Sequence, residues 1–391
     1  MVPDDAVRRA AAEALRPTPR GPLTELEKVR ALHALVVAGT RYVGLEFGIH
    51  GFKPYKVSQV LSRRFGDCKD KAALLVVLLR EAGIDAEMVL LRTRRGGRLA
   101  PLPASLAIFD HAIVFIPKLN LYLDGTAEFS GMDELPGQDQ GVMVLRVGPH
   151  GAHLAETPVL PAARNRAARH WDVALKADGS ADVRERLTLT GQAAPEWREH
   201  YQTRGEWSDR YGKALSARNP GARLLSVDMP GIEDRNRPVT VVAHASIPDL
   251  AEKTSGAGLR LSLGTHEVDL ARTYARLSER RSPLVLGYPW QHDEQIVYQF
   301  PRRFALTHVP ESRRIVSPFG SFDLQVRQEG AATVTVTGDL EVRRERVTAA
   351  EYPAFRRFLA EVDSAMAERI TAAPETEAAR AGTGAAASAT P

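Results

Sequence analysis

The chain has 391 residues, 44% hydrophobic and 26% charged, the composition of a soluble globular protein long enough for two folded units. Its 52 basic and 48 acidic side chains leave a net charge of only +4. The arginines stand among acids, as in Arg184-Glu185-Arg186, so no basic stripe interleaved with aromatics marks a nucleic-acid surface. One cysteine excludes an intramolecular disulfide, and the longest apolar run, Ala72 to Leu79, is far too short to span a bilayer. No basic stretch followed by an apolar one opens the chain, so no signal peptide is readable.

Residues 1–22, with Pro3, Pro17, Pro19 and Pro22, read as a flexible lead-in. A helix is expected from Thr24, where Thr24 and Glu27 make a capping box and Leu26, Val29, His33 and Val36 fall on one face. His33 on that stripe reads as a core histidine. A glycine-rich loop over Arg41 to Lys56 and a short helix over Val57 to Phe65 lead to Gly66-Asp67-Cys68. From Lys69 to Ala82 the pattern is a strong helix, apolar on nearly all sides and therefore deeply buried. Strand-like runs follow at Ala86–Thr93, His111–Ile116 and Leu119–Asp124. One central helix followed by a short antiparallel sheet is an α+β core, placed at residues 23–135.

Residues 136–167, rich in glycine and proline, read as a linker. Residues 168–371 read as a mostly β, sandwich-like domain, with an Asp178-Gly179 hairpin turn and a helical insert around Glu196–Arg218. A helix from Ala350 to about Thr371 closes it, and 372–391 reads as a disordered tail.

The residues that carry chemistry are Cys68, His111 and Asp124. A free thiol is mostly protonated at neutral pH, and only the thiolate attacks well. A helix start and a nearby imidazolium both stabilise a thiolate, and the sequence offers both to Cys68. Asp67 is a good N-cap type, so Cys68 sits in the first turn, where unsatisfied backbone N–H groups can also bind an oxyanion. If the hairpin turns about Pro117-Lys118, paired positions sum to 235 and His111 lies directly opposite Asp124. Opposed Cβ atoms are about 4.5–5.5 Å apart, so the carboxylate reaches the ring. On this register Ile113, Phe115 and Tyr122 share their face and pack on the helix that Cys68 begins. The Asp67/Asp70 pair reads as capping and surface charge. His150 and His153 show no ligand cluster, so neither a metal nor a cofactor is expected.

The ordered set Gly66-Asp67-Cys68-Lys69-Asp70-Lys71-Ala72, Asp110-His111-Ala112-Ile113 and Leu123-Asp124-Gly125-Thr126 resembles the bacterial transglutaminase-like superfamily. The resemblance is to the subgroup in which a papain-like core precedes a β domain of unknown function. It implies that Cys68 is the nucleophile, His111 the general base and acid, and Asp124 the orienting partner. The reaction so implied is acyl chemistry at amide or ester carbonyls, on a protein or peptide substrate, ending in hydrolysis or transfer. Such relatives usually carry an export signal and a leading β domain, neither of which is readable here. Transglutaminases often place a tryptophan before the cysteine as an oxyanion donor, where this chain offers Tyr55 and then Gln59. The alternative reading is a binding or scaffolding module of a cell-envelope system.

Overall fold

The computed structural model describes residues 2–17, 19, 21–44, 47–97, 105–149, 151–264 and 269–375. The chain divides into two compact units, residues 1–160 with the short segments 194–196 and 234–237, and the remainder.

The first unit opens with helices α1 (Asp5–Ala14) and α2 (Glu25–Gly39), followed by the short strand β1 (Arg41–Tyr42). Next come α3 (Val57–Arg63), the short strand β2 (Phe65–Gly66), paired in parallel with β1, and α4 (Cys68–Glu81). The Thr24–Glu27 capping box forms in both directions, which fixes the start of α2 where the sequence placed it. Helix α4 is the centre of the unit, because Ala72 through Leu79 have apolar side chains on every face and all are buried. Val7, Val29, Leu32, Val57 and Val60 pack on it from the other helices, and Ala112, Val114 and Ile116 from the sheet.

That sheet comprises β3 (Glu87–Leu91), β4 (His111–Ile116), β5 (Leu121–Leu123), β6 (Met143–Gly148) and β7 (Gly151–Glu156), in spatial order β5-β4-β3-β6-β7 among the described residues. Every neighbouring pair is antiparallel. Two expectations are corrected here. The lead-in of residues 1–22 holds α1, capped by the Asp4 carboxylate and anchored by buried Val7 and Ala11 one helical turn apart. Of the expected linker, 136–167, the part from Met143 to Glu156 is the hairpin β6–β7, and β6 extends the core sheet along β3. Its glycines and proline belong to the tight turn between Gly148 and Gly151, and that turn chemistry hid the strands on either side. His150 lies outside the described residues.

The hairpin register is also different. Val114 pairs with Leu123 and Ile116 with Leu121, so paired positions sum to 237 and not 235. A 3₁₀ turn at Pro117–Leu119 and a left-handed Asn120 lengthen the connection by two residues. The side-chain period of a strand is two, so the shift keeps each residue on its face and makes Asp124 a diagonal neighbour of His111. Ile113, Phe115 and Tyr122 do not meet α4. They pack with Leu135, Val142 and Val144, while the alternate set Ala112, Val114 and Ile116 faces the helix.

The second unit is mostly β. Among the described residues an eight-stranded sheet runs Arg223–Asp228, Val239–Ile247, Ala181–Leu189, Arg166–Leu175, Trp290–Gln299, Thr333–Val342, Gly320–Glu329 and Arg313–Ser317 in spatial order. Burial alternates along Ala181–Leu189 and Val239–Ile247, as a sheet with one face in the core requires. Phe322, Leu324, Val334 and Leu340 from this sheet share one core with helix Tyr352–Met366 and with a four-stranded sheet that includes Leu259–Ser262 and Arg369–Pro374. The closing helix therefore ends at Met366, before the expected Thr371. Ile370 and Ala372 alternate inward on a strand that enters the expected tail, whose residues 376–391 lie outside the described ones.

Candidate active site

The start of α4 is built by a buried carboxylate network. Asp67 is the N-cap, and Asp67 and Asp70 form a capping box. Asp70 also accepts from the Tyr55 N–H at 2.8 Å and from Arg63 Nη2 at 2.8 Å. Both carboxylates are almost wholly buried, so they serve as caps but not as surface charge. Glycine is required at 66, because a Cβ there would stand 2.7 Å from the Asp70 Cβ. These contacts fix Cys68, partly exposed, at the first residue of the helix. There the first-turn N–H groups and the helix dipole favour negative charge on any oxyanion beside the thiol.

His111 opens β4, opposite Leu91 of β3. Its Nε2 lies 3.2 Å from Oδ2 of Asp124, just past the end of β5, and 10% of the histidine and 2% of the aspartate side chain remain exposed. Burial works against a charged ring. The Asp124 charge and hydrogen bond, helped by the nearby Cys68 thiol, prevail, and His111 is held up at about 11. The ring is thus an imidazolium at neutral pH. With Nε2 committed to Asp124, Nδ1 is the nitrogen left for the thiol.

Asp124 is positioned from two sides. Its Oδ1 accepts from the Thr126 N–H and hydroxyl, each at 2.7 Å, which explains the Asp124-Gly125-Thr126 motif as a local turn. Burial pushes its carboxyl up, but the His111 charge and these hydrogen bonds prevail and keep it below the usual carboxylate range. His33, expected as a core histidine, is buried, with Nε2 3.1 Å from the Asp124 carbonyl. Burial holds this ring below its ordinary value, so it is neutral and donates Nε2–H to that carbonyl. Lys71, one turn beyond Cys68, is buried with its ammonium on the Thr40 carbonyl, and burial draws it down to about 8 against the attraction of Asp124 and Glu128.

The fold thus brings together the three residues the sequence singled out. Tyr55 instead has its ring stacked on His50 at 3.6 Å, with the Arg63 guanidinium over it, and Gln59 is exposed on α3. Sequence reasoning missed Asp139, from the short 3₁₀ turn Gly137–Asp139. Donor atoms of His111, Asp124 and Asp139 lie within 4.8 Å of one another. His111 Nε2 and Asp124 Oδ2 are already bonded to each other, which favours proton sharing over cation binding.

A helix-borne cysteine followed by a histidine and an aspartate on an antiparallel sheet defines a papain-like α+β core. Residues 12–111 match the model of the transglutaminase-like superfamily, and residues 264–372 match that of a domain of unknown function, DUF3858. Residues 12–111 are thus similar to the transglutaminase-like superfamily, and a mostly β domain follows that core. A crystal structure from Parabacteroides distasonis described as "a putative protease" is similar in fold, with a TM-score of 0.57 and 15% identity. The similarity covers 94% of this chain and 55% of that one, so this chain spans about half its length. None of the curated proteins compared with this chain matches it.

Proposed function

We propose that the chain is a cysteine-dependent enzyme acting on amide or ester carbonyls. The observation that carries this reading is the contact of His111 with Asp124 at 3.2 Å, with a thiol at a helix start near the same ring. In the reaction, Sγ of Cys68 adds to the carbonyl carbon and the new oxyanion forms beside the first-turn N–H groups. The C–N or C–O bond then breaks, and His111 gives its proton to the departing amine or alkoxide, leaving an acyl thioester on Cys68. Water, deprotonated by His111, completes hydrolysis, or an amine completes transfer. The solved structure described as "a putative protease" supports a peptide as the acyl donor.

The test is acid-quenched mass analysis after mixing the full-length protein with a panel of N-acylated amino-acid p-nitrophenyl esters. An acyl group should be found on the Cys68 peptide, and none in Cys68→Ala. If no ester acylates Cys68 while general thiol reagents label it at the rate of a free thiol, the core is a binding module and the enzyme reading fails.

A further inference from the structure

The acyl chemistry above leaves one buried ionisable group unused. Asp139 has no solvent exposure, and neither of its carboxylate oxygens has a hydrogen-bond partner. Its backbone, by contrast, is fixed from several sides. The Thr157 hydroxyl donates to its carbonyl, Gln140 Nε2 donates to the Leu135 carbonyl at 2.7 Å, and Gln140 Oε1 accepts the Leu160 N–H at 2.9 Å. Arg94 Nε donates to the Gln140 carbonyl at 2.6 Å. A loop so restrained delivers one side chain to one place, within 4.8 Å of donor atoms of His111 and Asp124. An ionised carboxylate left unpaired in that position is strongly disfavoured, and protonation relieves it.

We propose that Asp139 is a fourth, positioning residue of the site, a neutral carboxylic acid that donates a hydrogen bond to the Asp124 carboxylate and holds it on the His111 ring. Protonation supplies the donor that the bare carboxylate lacks. The surroundings favour that state. Burial and the Asp124 charge push Asp139 up, the His111 charge opposes them, and the closeness of the Asp124 carboxylate and the charge of Asp110 add to the rise, so that it titrates at about 8. Arg94 faces this loop through the Gln140 carbonyl and Cys68 faces it through the His111 ring. Below that value Asp139 is a donor. Above it a second carboxylate repels Asp124 and draws on the His111 proton.

This inference rests on the triad reading, so the test must separate the two. The 13Cε1 and 1Hε1 signals of the His111 ring are followed from pH 5.5 to 9.5 in the full-length wild type, Asp139→Asn and Asp139→Ala. The rate of Cys68 alkylation by iodoacetamide is measured in parallel, with His111→Ala as control. A ring-signal step near pH 8 is expected in the wild type and not in Asp139→Asn, whose amide donates without titrating. Asp139→Asn should keep the alkylation rate at pH 6.5 within about twofold, and Asp139→Ala should lose about tenfold, the order expected for one hydrogen bond to a charged group.

A His111→Ala variant alkylated like wild type would sink the triad, and the ring-signal step would still decide where the proton sits. A slow His111→Ala variant, with no step near pH 8 and with Asp139→Asn and Asp139→Ala both like wild type, overturns the role of Asp139 alone. Ring signals that move on chelation also overturn it, placing a cation where the proton is inferred.

Discussion

Asp124→Ala should lower the rate of Cys68 chemistry by about 10²–10⁴, the loss typical when general acid–base assistance is disabled, while Asp124→Asn keeps measurable activity. Asp124 forms no bond to substrate in the proposed reaction. Its Oδ2 accepts from His111 Nε2 and its Oδ1 from Thr126. An asparagine can turn its carbonyl to the ring and so keep the tautomer and orientation. Its NH₂ then meets the Thr126 N–H, donor against donor, and the negative charge that holds the imidazolium is gone. Alanine loses both functions.

The same substitutions carry a pH signature. His111 is raised from 6.5 to about 11 in the fold and Asp124 is lowered from 3.8. The histidine contribution to stability is therefore fully present below pH 6.5 and is lost as pH rises toward 11. The aspartate contribution is present above 3.8 and lost as pH falls below it. Their overlap places the largest benefit of the pair at about pH 4–6.5. The stability difference between wild type and Asp124→Asn, followed by denaturant midpoint, should be greatest in that window. Equal alkylation rates for wild type, asparagine and alanine would make Asp124 a strand-end residue of the scaffold, leaving at most a Cys–His dyad.

Leu75→Ala should destabilise the first unit by about 2–5 kcal/mol, the range for deleting a fully buried leucine that leaves a cavity. Leu75 has no exposure, and its helix is packed on one side by α1, α2 and α3 and on the other by the sheet, so no flank is free to collapse into the gap. Leu75→Met, nearly equal in volume, should cost under about 1.5 kcal/mol. All four tryptophans, at 171, 197, 207 and 290, lie in the second unit, so fluorescence does not report on this core. Hydrogen exchange of the α4 amides does, and protection unchanged in Leu75→Ala would show that α4 is not the centre of the unit.

What the sequence made legible was what local chemistry decides. The Thr24–Glu27 and Asp67–Asp70 boxes bind their own neighbours, so the starts of α2 and α4 followed from the residues themselves. β4 was read at its observed ends because His111–Ile116 is bounded by Asp110 and Pro117. The ordered cysteine, histidine and aspartate motifs marked the three residues that the fold brings together. The register failed because a left-handed Asn120 after a 3₁₀ turn, with φ of 46°, has no strong signature beside the more conspicuous Pro117-Lys118. β6 was lost among glycines whose purpose is the turn that follows it. Asp139 was invisible for a further reason. Its position depends on β6 pairing with β3, which closes the 135–142 segment over one face of the sheet, and one aspartate in a Gly-Pro-rich stretch shows no period.

The central claim is that His111 activates Cys68, and its most direct test is the rate–pH profile of Cys68 alkylation. With one cysteine in the chain, the label reports on no other site. Wild type should react at pH 6 faster than a free thiol of equal exposure, and His111→Ala should react at least about tenfold more slowly at that pH. Profiles that coincide for the two proteins and follow that of a free thiol would contradict the account.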